Sequence, residues 1–545
     1  MCGIFFFQSN TRDTDLSDDD LKLHLNKIIH RGPDDTKSIH YKCNTMNTAD
    51  TFIGFHRLSI NDLKGGQQPF VDNNIILICN GEIYNYKSLI KKYSLEVQSN
   101  SDCEVILHLY KKIGFLNTIK ELDGIFACIL YDRNIDTIYA ARDPIGVRSM
   151  FIYNNNDVIS IASEIKALGF INDKYCDSKN ITQFKPGNIW DSKTNKYTKY
   201  FDVDEIKETN DDISTIKENI CTLLTNAVRK QMISDRPIGC LLSGGLDSSL
   251  MAALLCKIND ESKLEYSDKY EPIKTFSVGL EGSPDVEYAR LVAKHIGSDH
   301  HELILTEADM LNGIDETIYK LETYDTTTIR AGTPMHLLAK YIKWKFTTTV
   351  IFSGEGSDEL SGSYMYFHNA PNENEFQSDI KRLVKDLSYF DVLRCDKSMA
   401  GAGLEIRVPF LDIDFVNYYL SVPAKLKLPQ LYNNKKIEKH LLRSAFDDGL
   451  LPDSVLWRKK EGMSDGVSSE KNSWYNIIQN RVNSIKLKTE ISDYSFNIPK
   501  LKESLYYREI FANYFPNCDH TIPYYWLPKW SGDVTDPSAR VLNVY

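Results

Sequence analysis

The chain has 545 residues, a formal net charge of -11, 42% hydrophobic and 26% charged residues, the make-up of an ordinary globular protein of roughly three to four domains, or two large ones. The acidic balance argues against a nucleic-acid partner, which needs a basic face. No apolar run approaches the ~20 residues of a membrane span, Met1 to Phe7 lacks the basic leader of a secretory signal, and the 11 Cys, scattered with no CxxC pair, read as reduced thiols of a cytoplasmic protein without zinc.

Taken in order, helical periodicity marks Leu21 to Ile29 and Val105 to Lys112. An apolar strand, Ile75 to Cys79, runs into Asn80-Gly81-Glu82. Gly124 to Asp132 returns as Thr137 to Asp143, a hairpin pattern. Ser149 to Tyr153 and Val158 to Ala162 repeat it across Asn154 to Asp157. Hairpins with a few helices predict an α+β domain over residues 2–200. The polar, acidic stretch Asp202 to Asp212 predicts a linker, set at 201–215. From 216 to 545 the pattern becomes strand–helix alternation. Strands are predicted at 238–242, at Thr275 to Gly279 and at Thr348 to Phe352. That predicts an α/β domain with a mainly parallel sheet and a phosphate loop at a strand's carboxyl end.

Cys2 carries weight because removal of Met1 would put a thiol and an α-amine on one residue. An α-amine titrates near ~8 and can take the thiol proton, so the residue supplies nucleophile and base together. The Asn80 amide and the Gly81 N–H could stabilise a tetrahedral oxyanion. Arg57 could pair with an α-carboxylate, and Asp102 could hold an α-ammonium. Each has a bland reading: a buried Cys, an Asn-Gly turn, a surface Arg, a helix N-cap.

Together these residues resemble class II glutamine amidotransferases, whose N-terminal nucleophile (αββα sandwich) domain starts Cys-Gly-Ile. The match extends to His30-Arg31-Gly32-Pro33-Asp34 and to Arg142-Asp143-Pro144-Ile145-Gly146-Val147-Arg148. The resemblance implies hydrolysis of L-glutamine at Cys2 through a γ-glutamyl thioester, with Asn80 and Gly81 as the oxyanion hole. It implies a glutamine pocket of Arg57, Leu58, Ser59, Ile60, Asn61, Asn80, Gly81, Glu82 and Asp102. His30 to Asp34 would have structural or loop-ordering roles.

In the second half, Ser243-Gly244-Gly245-Leu246-Asp247-Ser248-Ser249 lies between an apolar strand and an apolar helix start. A Gly-Gly turn and a helix N-terminus together make a cradle for phosphate. The spacing is not that of a P-loop; it resembles the loop of ATP pyrophosphatases, which cleave ATP between the α and β phosphates. A second loop, Ser353-Gly354-Glu355-Gly356-Ser357-Asp358-Glu359, follows another buried strand. Asp247 and Asp358 could each offer an oxygen to Mg²⁺, which takes carboxylates plus substrate phosphates. The bland reading is a solvated acidic turn.

The whole second half resembles the glutamine-hydrolysing asparagine synthetase family. The stretches that carry it include Phe276 to Leu280, Glu322 to Arg330, Gly403 to Asp412, Trp457 to Glu461, Tyr506 to Phe511 and Asp536 to Arg540. The resemblance implies an ATP site of Leu241, Ser243, Gly244, Gly245, Asp247, Ser248, Val278, Ser353, Gly354 and Lys460. It implies an L-aspartate site at Thr327, Thr328 and Arg330, and places Glu355 at the acyl-adenylate stage. It allows a homodimer. One departure stands out: Ser363 occupies a position where the family has glycine. β-Lactam synthetases share both domains and adenylate another acid, but generally lose the Cys nucleophile. A non-catalytic sensor would show a broken site, and amidophosphoribosyl or sugar-phosphate transferases share the first domain only.

Overall fold

The structure, a computed structural model, describes residues 1–10, 16–42, 49–155, 157–168, 177–263, 271–469 and 471–538. Between Gly3 and Lys199 the described strands are β1 (Gly3–Ser9), β2 (Asp35–Tyr41), β3 (Asp50–Arg57), β4 (Phe70–Asp72), β5 (Ile75–Ile83), β6 (Gly124–Asp132), β7 (Thr137–Arg142), β8 (Phe151–Asn154), β9 (Val158–Ala162), β10 (Thr182–Gln183), β11 (Asn188–Asp191) and β12 (Lys196–Lys199). They form two six-stranded sheets, ordered β10-β8-β9-β1-β3-β2 and β12-β11-β7-β6-β5-β4, with antiparallel pairing throughout.

β1 explains the layering. Successive side chains point to opposite faces of a strand. Ile4 and Phe6 pack with Ile53, Phe55, Ile76 and Ile78 between the sheets. Phe5 and Phe7 pack on the other side with Leu21 and Leu25 of the helix Asp18–Asn26. Both faces are covered, so the strand is apolar from Ile4 to Phe7. The helix Val105–Ile113 buries Val105 and Leu109 against Leu77 and Phe126 on the outer face of the second sheet. The order is helix, sheet, sheet, helix, an N-terminal nucleophile αββα sandwich.

Local boundaries differ from the expectation where side chains intervene. The first helix starts at Asp18 rather than Leu21 because Ser17 and Asp20 form a capping box. β5 does not end at Cys79. Asn80, Gly81 and Glu82 stay in the ladder opposite Ala127, Phe126 and Ile125. The Asn-Gly pair is therefore strand, not turn. The strand expected from Thr348 starts at Val350, since the Thr349 N–H donates to Pro237 O ahead of the ladder.

The acidic stretch 202–212 holds a short 3₁₀ turn, Val203–Glu205, with Val203 buried. Asp212 then caps the helix Ile213–Gln231. The second sheet system has β13 (Ile238–Leu241), β14 (Lys274–Leu280), β15 (Asp299–Leu305), β16 (Val350–Phe352) and β17 (Glu405–Arg407) in the order β15-β14-β13-β16-β17, all parallel. Helices such as Leu246–Lys263 and Thr326–Lys345 connect the strands. Parallel pairing of Cys240 with Phe352 puts the loops after β13 and β16 side by side at the carboxyl edge of the sheet.

Candidate functional site

The first site forms where β1, the end of β3 and β5 meet. The main-chain N–H of Cys2 donates to Asn80 Oδ1 at 2.8 Å. The Leu58 N–H points at Cys2 Sγ from 3.4 Å. Asn80 is fully buried, and its Nδ2 has no partner among the described residues. An amide donor left free in this way is what a developing oxyanion needs. Gly81 is required by space: a Cβ there would lie 2.4 Å from Ile125 O.

Arg57 is 6% exposed rather than a surface charge. Its guanidinium donates to Asn61 O at 3.2 Å and Asp62 O at 2.7 Å, ordering the loop that follows β3. Ser59 N–H donates to Asp34. Asn61 Nδ2 donates to Glu82 at 2.6 Å, and Ile83 N–H donates to Asp102 at 2.6 Å. Asp102 is thus a buried acceptor tied to β5. Burial raises both carboxyls; Glu405 and Asp102 push Glu82 further up, while the Ile83 N–H opposes the shift at Asp102. Burial likewise pushes the Cys2 thiol up to about 11 and the Met1 α-amine down to about 6.

Behind Cys2 runs a buried charged seam. Arg31 donates to Cys2 O at 3.0 Å, Glu164 at 2.8 Å and Asp396 at 2.9 Å. Arg148 reaches Asp396 at 3.3 Å and Glu405 at 3.6 Å. Arg407 pairs with Glu405 at 2.7 Å and with Glu82 at 3.3 Å. These groups join the first site to β17 of the parallel sheet.

The second site is a cavity of about 230 Å³ at the carboxyl edge of that sheet. Leu241, Ser243, Gly245, Asp247, Ser248, Val278, Ser353, Gly354, Glu355, Asp358 and Lys460 all line it, with Thr327 at its wall. Gly244 lies behind the lining at φ +73°, where a Cβ would fall 2.5 Å from Ala289 N. Its carbonyl accepts from Arg458 at 3.1 Å. The loop holds its own shape through the Ser243 and Ser248 hydroxyls, 3.0 Å apart. The two loops touch: a Cβ on Gly354 would sit 2.8 Å from Ser248 N.

Lys439 is a cavity residue that sequence reasoning missed. It is 2% exposed and has φ +57°. Its Nζ lies 2.6 Å from Asp247 Oδ1 and 2.5 Å from Asp358 Oδ1. Lys460 Nζ adds a contact to Asp358 Oδ2 at 2.5 Å. Burial alone would raise the Asp358 carboxyl, but Lys439 and Lys460 outweigh it and hold it below the ordinary range. Glu355 behaves oppositely. Burial raises its carboxyl despite Arg394 at 2.8 Å. Ser363, the departure from the family glycine, donates its hydroxyl to Asp358 Oδ1 at 2.5 Å.

The acceptor residues do not all gather. The hydroxyls of Thr327 and Thr328 both donate to Asp325, the N-cap of the helix Thr326–Lys345. Thr328 and Arg330 lie outside the cavity lining. Arg330 donates twice to Glu503 and twice to Asp536. Both partners lie more than 170 positions away, so no local pattern announced them.

The described residues contain no group of three or more His, Cys, Asp or Glu placed to hold a metal. None of their helices is long and apolar enough to cross a membrane.

Comparison with known proteins gives two family matches. A glutamine amidotransferase domain matches residues 1–210, and an asparagine synthase family matches residues 219–383 and 372–535. An asparagine synthetase [glutamine-hydrolyzing] of Gallus gallus is 43% identical over 553 residues, covering 96% of each chain. Those of Cricetulus griseus and Homo sapiens are 42% and 41% identical over 576 residues, covering 100% of this chain and 99% of theirs. With both halves matched and identity above 40% along the whole length, this chain belongs to the glutamine-hydrolysing asparagine synthetase family.

Proposed function

We propose that this chain makes L-asparagine from L-aspartate, ATP and L-glutamine, with each half supplying one of two coupled reactions. The observation that carries the reading is the pairing of two constellations in one chain. One is a Cys2 with a free oxyanion donor at Asn80; the other is a phosphate cradle with opposed carboxylates at Asp247 and Asp358.

Once Met1 is removed, the nitrogen beside Asn80 Oδ1 becomes the Cys2 α-amine, a base for its own thiol. The thiolate attacks the γ-amide carbon of glutamine. Asn80 Nδ2 and the Gly81 N–H receive the oxyanion, and ammonia leaves. Water then releases glutamate from the thioester. Arg57, through the loop Leu58 to Asn61, and the carboxyls of Glu82 and Asp102 would orient the glutamine backbone.

At the second site a β-carboxylate oxygen of aspartate attacks the α-phosphorus of ATP and pyrophosphate leaves. Adenylation is needed because a carboxylate is a poor electrophile, whereas AMP is a good leaving group. Ser243, Gly245 and Ser248 would hold phosphate oxygens. Lys439 and Lys460 would neutralise the departing pyrophosphate. Asp247 and Asp358 suit one Mg²⁺, which accepts one or two carboxylates and completes its shell with phosphates and water. When bound it would neutralise phosphate charge. Glu355, whose carboxyl burial raises, would in its ionised form take a proton from attacking ammonia. AMP then leaves and asparagine forms.

Ammonia must travel as the neutral base, since ammonium cannot attack. The seam of Arg31, Arg148 and Arg407, paired with Glu164, Asp396, Glu405 and Glu82, lies between Cys2 and β17 of the parallel sheet. Nine free Cys among the described residues fit a reducing cytoplasmic setting. The test is a product balance with aspartate, MgATP and an ammonium salt. One AMP, one pyrophosphate and one asparagine should appear together. Pyrophosphate release without aspartate dependence, or no asparagine, would overturn the reading.

A further inference from the structure

Beyond Ile522 the described chain contains no helix and no strand, yet it is pinned at several points. Trp526 and Pro537 line the synthetase cavity. Trp526 packs edge-on against Tyr364, ring centres 5.9 Å apart. Between Trp526 and Pro537 in the chain sits Asp536. Its two oxygens take Arg330 Nη1 at 2.8 Å and Nη2 at 3.0 Å, and Oδ2 also accepts from Gln479 at 2.8 Å. Asp536 Oδ1 further accepts the Ser538 N–H at 2.9 Å. The Ser538 hydroxyl donates to Asp465 Oδ1 at 2.9 Å, and Asp465 itself lines the cavity.

A segment with no ladder of its own is held only by side chains, so these contacts decide where Pro537 stands. Arg330 is the hub. It is 2% exposed, and four of its N–H bonds end on Glu503 and Asp536. Bidentate carboxylate–guanidinium pairs fix direction as well as distance. The Arg330 side chain faces helix Lys502–Tyr514 and the tail, whereas Thr327, one turn earlier, faces the cavity.

We propose that Asp536 and Arg330 are positioning residues that seat the C-terminal segment as a wall of the synthetase cavity, and that this wall keeps water from the acyl-adenylate. This rests on the synthetase reading above. The adenylate is a mixed anhydride. If water reaches its β-carbonyl carbon, the water oxygen bonds to carbon, the acyl C–O(phosphate) bond breaks, and AMP leaves. Aspartate is regenerated, two protons pass to solvent, and ATP is spent as AMP and pyrophosphate without asparagine. Excluding water from a reactive intermediate is a recognised task of a closed site.

The experiment measures pyrophosphate and asparagine together, with saturating aspartate, MgATP and ammonium, for the unaltered enzyme, Asp536→Asn, Asp536→Glu and Pro537→Gly. The unaltered enzyme should give a ratio near one. Asp536→Asn should raise it at least about twofold, Asp536→Glu should restore it, and Pro537→Gly should raise it with the Arg330 pair intact. Glutaminase activity at Cys2 should persist in all of them, reporting that the chain has folded. A ratio unchanged in both Asp536→Asn and Pro537→Gly overturns the proposal, whatever happens to the rate. A fall in the KM for aspartate with an unchanged ratio in Asp536→Asn would also overturn it, showing that Asp536 merely occupies an aspartate-binding Arg330. Absence of aspartate-dependent pyrophosphate release by the unaltered enzyme would instead count against the synthetase reading.

Discussion

Asn80 Oδ1 accepts the Cys2 main-chain N–H at 2.8 Å, and this contact orients the Asn80 amide so that Nδ2 is left without a partner among the described residues. One side chain therefore positions the nucleophile and offers a donor to the oxyanion. Asn80→Ala should cut the glutaminase kcat by roughly 10²–10³-fold, the usual cost of losing one oxyanion donor. Ammonia-dependent synthesis should be unchanged. Steady-state rates with each nitrogen source check this; an equal loss in both would mean that Asn80 supports the fold instead.

Lys439 carries a prediction for the second site. It bridges Asp247 and Asp358 from a buried position with positive φ. Lys439→Ala would leave Asp247 and Asp358 to share Lys460, at 3.7 Å and 2.5 Å, and breaking one side of a buried pair costs up to ~3–5 kcal/mol. Pyrophosphate release should fall by at least about tenfold and the KM for ATP should rise, because the departing phosphates lose a point charge. Glutamine hydrolysis measured alone should persist. A normal KM for ATP would remove Lys439 from the phosphate site.

Asp285 makes stability depend on pH. It lines the cavity and pairs with Arg458 at 2.9 Å, yet burial outweighs that pair and raises its carboxyl from 3.8 to about 6. Between about pH 4 and 6 the folded state then holds a proton that the unfolded state has lost. Stability contributed by this group falls as pH rises through that window, by on the order of 2–3 kcal/mol, and is level above it. Thermal melts across pH 4–7 should show a flatter profile for Asp285→Asn than for the unaltered chain. Parallel profiles would mean that Asp285 titrates normally.

Much of this was legible in the sequence, for physical reasons that differ by element. The first half of β5, Ile75 to Cys79, is an unbroken apolar run, and β13 is followed at once by its glycine turn and helix. Such local signals survive without tertiary context. The pocket residues Asn61, Glu82 and Asp102 were legible only as members of a family pattern. Their mutual contacts at 2.6 Å and 3.4 Å join residues 21 and 41 positions apart. Lys439 sits in an unremarkable basic stretch, and only the chain path brings it to Asp247, 192 positions away. Arg330 is the opposite case. Its type and place in the motif suggested a substrate contact, but the acidic partners that occupy it lie in the last helix and the tail. Ser363 could be read only as a departure from the family pattern; its hydroxyl contact to Asp358 depends on the chain path.

The central claim is that Cys2 feeds a separate synthetase site. The most direct measurement is asparagine formation by Cys2→Ala, with glutamine and with an ammonium salt, at the same aspartate and MgATP. Glutamine-dependent synthesis should vanish, while the ammonia-dependent rate stays within about twofold of the unaltered enzyme, since the transition state for amide formation does not involve the thiol. Loss of both activities in a chain with an unchanged melting temperature, or retention of the glutamine-dependent rate, would contradict it.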